Sequence, residues 1–189
     1  MRGEQFEVGV KYNPFSGTAI NAAIYDTTER NRLSSGPGVF SIQTGQVRIK
    51  GLELEVLTSV TPNLDLIGAY TYTDARIESG DNAGKRVASV PQQQASLWGK
   101  YRLASLGLPE VTVGAGVRYI GESWDGIDVL RTPDYTLFDA MVRWDNGPWR
   151  LQFNATNIAD TRNIATCLSF GDCFYGMGRT LLSTATYRF

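Results

Sequence analysis

No histidine occurs anywhere in the 189 residues, and this decides most of the chemistry open to the chain. Histidine is the commonest general base and the commonest metal ligand; without it no Ser–His or Cys–His nucleophile can form. The two cysteines, Cys167 and Cys173, cannot by themselves build a four-thiolate zinc site. The stretch Gly80-Asp81-Asn82-Ala83-Gly84-Lys85 looks like a phosphate-binding loop, but it is one residue short and no Ser or Thr follows the lysine. Glu122, Asp125 and Asp128 loosely resemble a calcium cluster, at a spacing that fits no EF-hand. Asn154-Ala155-Thr156 is a glycosylation sequon by letter only, because it falls within a strand pattern. These residues point away from covalent catalysis: the expectation is a protein that is not an enzyme, with no metal ligands and no cofactor.

The elements that carry these residues have a period of two. Phe6, Val8, Val10 and Tyr12 alternate with Glu7, Gly9 and Lys11; Leu52, Leu54 and Val56 alternate with Glu53 and Glu55. Similar runs recur at Ile20–Ile24, 64–73, 95–101, 111–119, 138–144, 149–156 and 180–189, which makes nine strands. Most reach ten residues or more, against about five or six for an ordinary globular strand. Val47 and Ile49 lie on the opposite parity from Leu52, so a bulge or kink is expected at Gly51. The connections alternate between short turns and long polar loops, the latter at about 27–44, 75–91, 121–133 and 161–178.

Composition agrees with an all-β chain. Twenty glycines and nine tyrosines favour strands and tight turns. Hydrophobic residues make up 42%, charged residues 20%, and the net charge is -1. That is neither a disordered composition nor the basic excess of a nucleic-acid binder, so no nucleic-acid partner is expected. No run approaches the roughly 18 apolar residues of a membrane helix, and no secretory signal opens the chain.

Long alternating strands with short turns on one side and long loops on the other describe a transmembrane β-barrel of the bacterial outer membrane, with lipid as its partner. Tyr12, Tyr101, Trp144 and Trp149 flank the short turns and form a periplasmic aromatic girdle. In the last strand Leu181, Ser183, Ala185, Tyr187 and Phe189 share one face, so the chain stops at that girdle. The ending Tyr187-Arg188-Phe189 resembles the C-terminal signal read by the barrel-assembly machinery, with Tyr187 and Phe189 as its aromatic positions. All the long loops then lie outside the cell. Nine is an odd number, whereas single-chain bacterial barrels have even ones, and an open edge in lipid is costly. The chain is therefore expected to be the C-terminal part of something larger.

Particular motifs name a family. QFEVGVKY (Gln5–Tyr12), IKGLELEV (Ile49–Val56), GAYTYTDARI (Gly68–Ile77), VPQQQASLWGKY (Val90–Tyr101), GAGVRYIGES (Gly114–Ser123), FNATNIAD (Phe153–Asp160), CLSFGDCFYGMGR (Cys167–Arg179) and TATYRF (Thr184–Phe189) occur in order along the chain. The whole of it, residues 1–189, resembles the C-terminal barrel of TonB-dependent siderophore receptors, in particular the ferrichrome and ferric-hydroxamate type. The resemblance implies nine C-terminal strands of a 22-stranded antiparallel barrel, with the plug domain absent. It implies uptake of a ferric siderophore, iron arriving already chelated, with the TonB complex engaged through the missing plug. Two departures touch the cargo: Thr161-Arg162-Asn163-Ile164 follows Asp160 where the family continues with an aromatic, and Leu168 stands where hydroxamate receptors place one.

Several site residues follow from this resemblance. Cys167 and Cys173 are expected to form a disulfide at the oxidising cell surface. Phe170, Phe174 and Tyr175 are candidates to touch the siderophore, since aromatics suit a ligand with an apolar body and polar chelating groups; Tyr119 and Trp124 are weaker candidates. Glu53, Glu55, Arg118, Arg150 and Arg188 are expected to face the lumen, toward a plug or toward water. The competing readings are a small self-contained outer-membrane barrel, porin-like or structural, a TonB-dependent receptor for another cargo, and an outer-membrane barrel enzyme, which the lack of histidine disfavours.

Overall fold

The computed structural model describes residues 2–31, 33–35, 41–43 and 45–189. Nine strands form one antiparallel sheet in chain order: β1 Arg2–Tyr12, β2 Thr18–Arg30, β3 Gln46–Thr61, β4 Leu64–Ile77, β5 Gln93–Arg102, β6 Val111–Ile120, β7 Tyr135–Asn146, β8 Trp149–Thr156 and β9 Thr180–Tyr187. Among the described residues, β1 and β9 each pair on one side only. Lengths run from 8 residues in β8 and β9 to 16 in β3. The only helical piece among the described residues is a single 3-10 turn, Leu103–Leu106, closed by Gly107 at φ 79° in the left-handed region that glycine enters without a Cβ penalty.

The register assigns every side chain to a face. Val8 pairs with Ile24, Ile24 with Leu52 and Leu52 with Tyr72, so these residues share one side of the sheet. Onward through Leu97, Val117, Phe138, Phe153 and Ser183 that side remains apolar or small and open. Phe6 is 72% exposed, Val10 60% and Leu181 73%, as befits a surface whose solvent is lipid. We call it the outer face. At the short-turn end it carries Tyr12, Tyr101, Trp144, Trp149 and Tyr187. The rings of Trp149, Tyr187 and Phe189 meet edge to face in sequence, with centroids 4.9 and 5.3 Å apart.

The opposite, inner face is polar and threaded with ion pairs. Glu53, Glu55, Arg118 and Arg150 lie on it. Asn21 donates to Glu55 at 2.9 Å. Arg118 grips Asp139 through Nε and Nη2 at 2.6 and 2.9 Å. Arg143 and Arg150 converge on Asp145 at 2.8 and 2.5 Å. Trp98 also faces inward; its ring lies flat over Gly114 and Gly116, where any Cβ would collide with it.

The bulge expected at Gly51 does not form. Pairing of β3 with β4 is continuous from Val47–Ile77 to Ser59–Asp65, and the register shifts only between Ser59 and Thr61, beside the short turn. What changes near Gly51 is the surroundings. Outward of it, Val47, Ala75, Ile77 and Val87 are buried on the inner side in one apolar cluster, while Arg48, Lys50, Asp74 and Arg76 occupy the outer face. Gly51 is needed for a close approach: the Tyr25 ring crosses it to bond Thr73 at 3.1 Å, and a Cβ would lie 2.6 Å from the ring carbon Cζ.

Candidate functional site

Beyond the last paired rungs, three of the connecting segments stay hydrogen-bonded to the sheet or to one another. After β4, residues 85–92 return alongside it, with Ile77 N–H on Lys85 O, Val87 N–H on Ala75 O and Thr73 N–H on Gln92 O, all 2.9–3.0 Å. The next segment joins in turn: Ser89 N–H donates to Trp124 O at 2.9 Å and Gly121 N–H to Gln93 O at 2.7 Å. The third is tied on by Cys167 N–H to the buried Thr132 hydroxyl at 2.9 Å, and by a hydrogen bond between the Ser89 and Thr166 hydroxyls. The site at the long-loop end is thus a raised rim made of 85–92, 121–134 and 157–179.

Each rim segment has its own polar anchor. Asp125 is 2% exposed and accepts the N–H groups of Ile127, Val129 and Leu130. Burial raises its carboxyl pKa, but those three backbone donors outweigh burial and hold it below the ordinary carboxylate value. Glu122 pairs with Arg131 at 3.0 Å and Asp128 with Arg86 at 3.8 Å, so the three acidic residues serve three separate bonds. Among the described residues no group of acidic or cysteine ligands is placed to hold a metal. The Gly80–Lys85 stretch is a plain turn, with Ala83 N–H on Gly80 O and Lys85 N–H on Asn82 O.

Asn157 anchors the last segment, and it was not singled out from the sequence. Only 1% exposed, it donates to Thr161 O and Met177 O and accepts from Thr161 N–H. Its own N–H bonds Asp139, the carboxylate already held by Arg118. Asp160 closes the far side by accepting Arg179 N–H at 2.8 Å. The one sequence signal was the position: an asparagine directly after β8, at φ 52°, a conformation in which Asn is tolerated.

Within this segment Cys167 and Cys173 are joined by a disulfide and face each other across a ribbon, Ile164–Cys167 with Cys173–Tyr175. Cys167 is 3% exposed; the tip beyond it is open, with Phe170 at 51% and Tyr175 at 80%. Phe174 and Tyr175 are consecutive in a strand, so their side chains leave opposite faces of the ribbon. Among the described residues the ring contacts are those of Trp149, Tyr187 and Phe189, and none joins Phe170, Phe174 and Tyr175. Tyr119 shares the outer face with Val113 and Val117, away from the interior. Trp124 lies under the Arg86 guanidinium, 4.6 Å from ring centre to Cζ.

Residues 1–158 match the family model described as TonB dependent receptor-like, beta-barrel. The ferrioxamine receptor of Yersinia enterocolitica is 37% identical over 201 residues, which takes in 100% of this chain and 28% of that protein. The ferrichrome outer membrane transporter/phage receptor of Escherichia coli K12 is 34% identical over 100% of this chain and 26% of its own length. Among solved structures, the siderophore receptor PiuA from Acinetobacter baumannii superposes with a TM-score of 0.79 at 26% identity, covering 97% of this chain and 28% of that one. The chain thus spans just over a quarter of the length of these relatives. With the antiparallel sheet, its open apolar face and its rim of loops, the match shows that this chain belongs to the TonB-dependent receptor β-barrel family.

Proposed function

We propose that the chain forms the C-terminal barrel wall and outer rim of an outer-membrane receptor for TonB-dependent uptake of a ferric siderophore of the hydroxamate class. One observation carries the cargo class. Relatives named for ferrioxamine and ferrichrome are 34–37% identical over the whole chain, against 29% for the catecholate receptor Fiu. The rim supplies a suitable surface: a disulfide-closed tip presenting Phe170, Phe174 and Tyr175, fixed to the wall by Asn157. Aromatic faces and backbone polar groups suit an apolar ligand body with hydrogen-bonding chelating groups. Because Phe174 and Tyr175 face apart, only one of them contacts the cargo together with Phe170. The iron stays in its chelate and the protein contributes no ligand to it. The inner-face carboxylates and arginines meet the plug, through which TonB acts, and Tyr187 and Phe189 address the barrel-assembly machinery.

The test is growth on defined iron sources. A strain lacking the gene should fail to grow on ferrioxamine B or ferrichrome as sole iron source and recover when the gene returns, in a TonB-requiring manner. Growth restored only by a ferric catecholate would sink the hydroxamate assignment. Restoration independent of TonB would sink the receptor reading.

A further inference from the structure

The tip that carries Phe170, Phe174 and Tyr175 is closed by its own disulfide, but a bridge across six residues fixes only the tip's internal shape. Its place above the wall is set at its base, where the chain leaves β8 and returns to β9. Asn157 ties the two ends together there, bonding Thr161 on the outgoing side and Met177 on the returning side. Asp160 repeats the tie by accepting Arg179 N–H at 2.8 Å, and Gly176 N–H reaches Asn163 O at 2.9 Å. The base is therefore one unit, and its position follows from whatever holds Asn157.

Asn157 stands where the ladder with β7 loses step. Ala140 pairs with Ala155, a register that would set Asn157 opposite Phe138. The next bond instead runs from Ile158 N–H to Phe138 O, one residue out of that register. Asn157 N–H is thereby left off the ladder in a residue only 1% exposed, and a buried N–H needs an acceptor. The Asp139 carboxylate supplies it: Oδ1 accepts Asn157 N–H at 2.8 Å. That oxygen is aimed by Arg118 on β6, which holds Oδ1 through Nη2 and Oδ2 through Nε. A two-point guanidinium grip fixes the plane of a carboxylate, which a single contact would not. Arg118 and Asp139 lie on the inner face of the wall and reach the tip through Asn157. Farther along, Cys167 N–H is held separately by the Thr132 hydroxyl. Without Asp139 the segment keeps that pivot and its own cross-ties, so the tip shifts without unfolding.

We propose that Asp139, aimed by Arg118, is the positioning residue of the last rim segment. From inside the wall it sets the point where residues 157–179 leave the sheet, and so where the tip presents its aromatics to cargo. The cargo part rests on the receptor reading above; the placement of the segment does not.

The experiment compares two double variants of the whole receptor, expressed from its own gene and purified from outer membranes in detergent. Arg118→Met with Asp139→Leu replaces the ion pair by apolar side chains and leaves Asn157 N–H without its acceptor. Arg118→Gln with Asp139→Asn also removes both charges but keeps a side-chain oxygen for that N–H. Neither leaves a charge unpaired in the wall. Hydrogen exchange over 157–179 should quicken about tenfold in the first, the equivalent of one buried hydrogen bond, and stay within about threefold of wild type in the second. β6 and β7 should exchange alike in both. Ferrioxamine B affinity, read by quenching of tryptophan fluorescence, should show the same split. Equal exchange over 157–179 in the two variants would overturn the proposal, because the pair would then serve the wall alone. Failure of either variant to assemble would also overturn it, by making the pair a folding element. A split in exchange without one in affinity would break the link to cargo binding. If the exchange split appears and wild type binds no ferrioxamine B, the cargo reading falls and the placement of the segment stands.

Discussion

The two ends of β2, β3 and β4 are built from the same pairing and have opposite polarity. Toward the short turns, Ile24, Leu52 and Leu54 look outward and Glu53 and Glu55 inward. Toward the loops, Arg48 and Lys50 look outward while Val47 and Ile77 are buried inward. The backbone changes nothing between these halves; its neighbours do. Below Gly51 the outer face meets lipid and the inner face carries charged and polar side chains. Above it, the outer face meets polar surroundings, and the inner face is sealed by the returning segment that brings Val87 and Val90. A strand records the solvent on each side at each height, so polarity and register are independent facts.

The sharpest way to break this comparison is to put a charge on the lipid side of the lower half. Leu54→Lys should cost about 2 kcal/mol of folding stability in bilayers, between the scales for a lysine at the interface and at the membrane midplane. The mirror change Lys50→Leu, four residues away on the same face, should move stability by under about 0.5 kcal/mol. Urea unfolding in lipid vesicles reads both, and equal effects would dissolve the distinction between the halves.

Next in size is the inner cluster above Gly51. Val47 is 1% exposed, and Val47→Ala should cost about 2 kcal/mol through lost burial and the cavity left behind. Asn157→Ala should follow at about 1–2 kcal/mol, because the Thr161 and Met177 carbonyls lose their buried donor. The two differ in reach. Hydrogen exchange should show protection lost across β3 and β4 in the first case, and confined to residues 157–179 in the second. A sheet-wide loss in Asn157→Ala would mean that the rim is not a separable layer.

The smallest expected effect is a pH step. Asp125 has a folded pKa below its unfolded value near 4, so its stabilisation is complete above about pH 4 and disappears as pH falls through the depressed value. Pepsin cleavage of the 121–134 segment should rise over that acidic range in wild type. Asp125→Asn carries no carboxylate to titrate, so its cleavage should show no such step.

Much of the architecture was legible in the chain. Alternation over Phe6–Tyr12 and Leu52–Val56 set the strands and their apolar face, and the sorting of turns from loops set the ends. The change of parity at Gly51 was legible as an event but not as a cause. A bulge and a change of solvent leave the same trace in a line of letters, and only the partner strand, unbroken from Val47–Ile77 onward, separates them. The cysteine pair stood out because two cysteines six residues apart are rare enough to notice. Asn157 did not: its partners Thr161, Met177 and Asp139 lie 4, 20 and 18 residues away, and nothing local announces a side chain that binds at such different distances. Phe170, Phe174 and Tyr175 were visible as aromatics, but their directions depend on the ribbon's pairing.

Trp98 has a consequence for the shape of the wall's inner surface. A tryptophan turned inward would ordinarily narrow the space it enters by several ångströms. Here the ring lies in a shallow trough floored by Gly114 and Gly116, with the Met141 methyl at its edge, so its thickness is taken up by missing side chains on the next strand. The level of the inner surface at that height is set by the backbone, and the ring presents an aromatic panel in place of a protrusion. Enlarging either glycine would push the ring off its bed and turn a flush inner surface into a protruding one, without changing any residue of the rim.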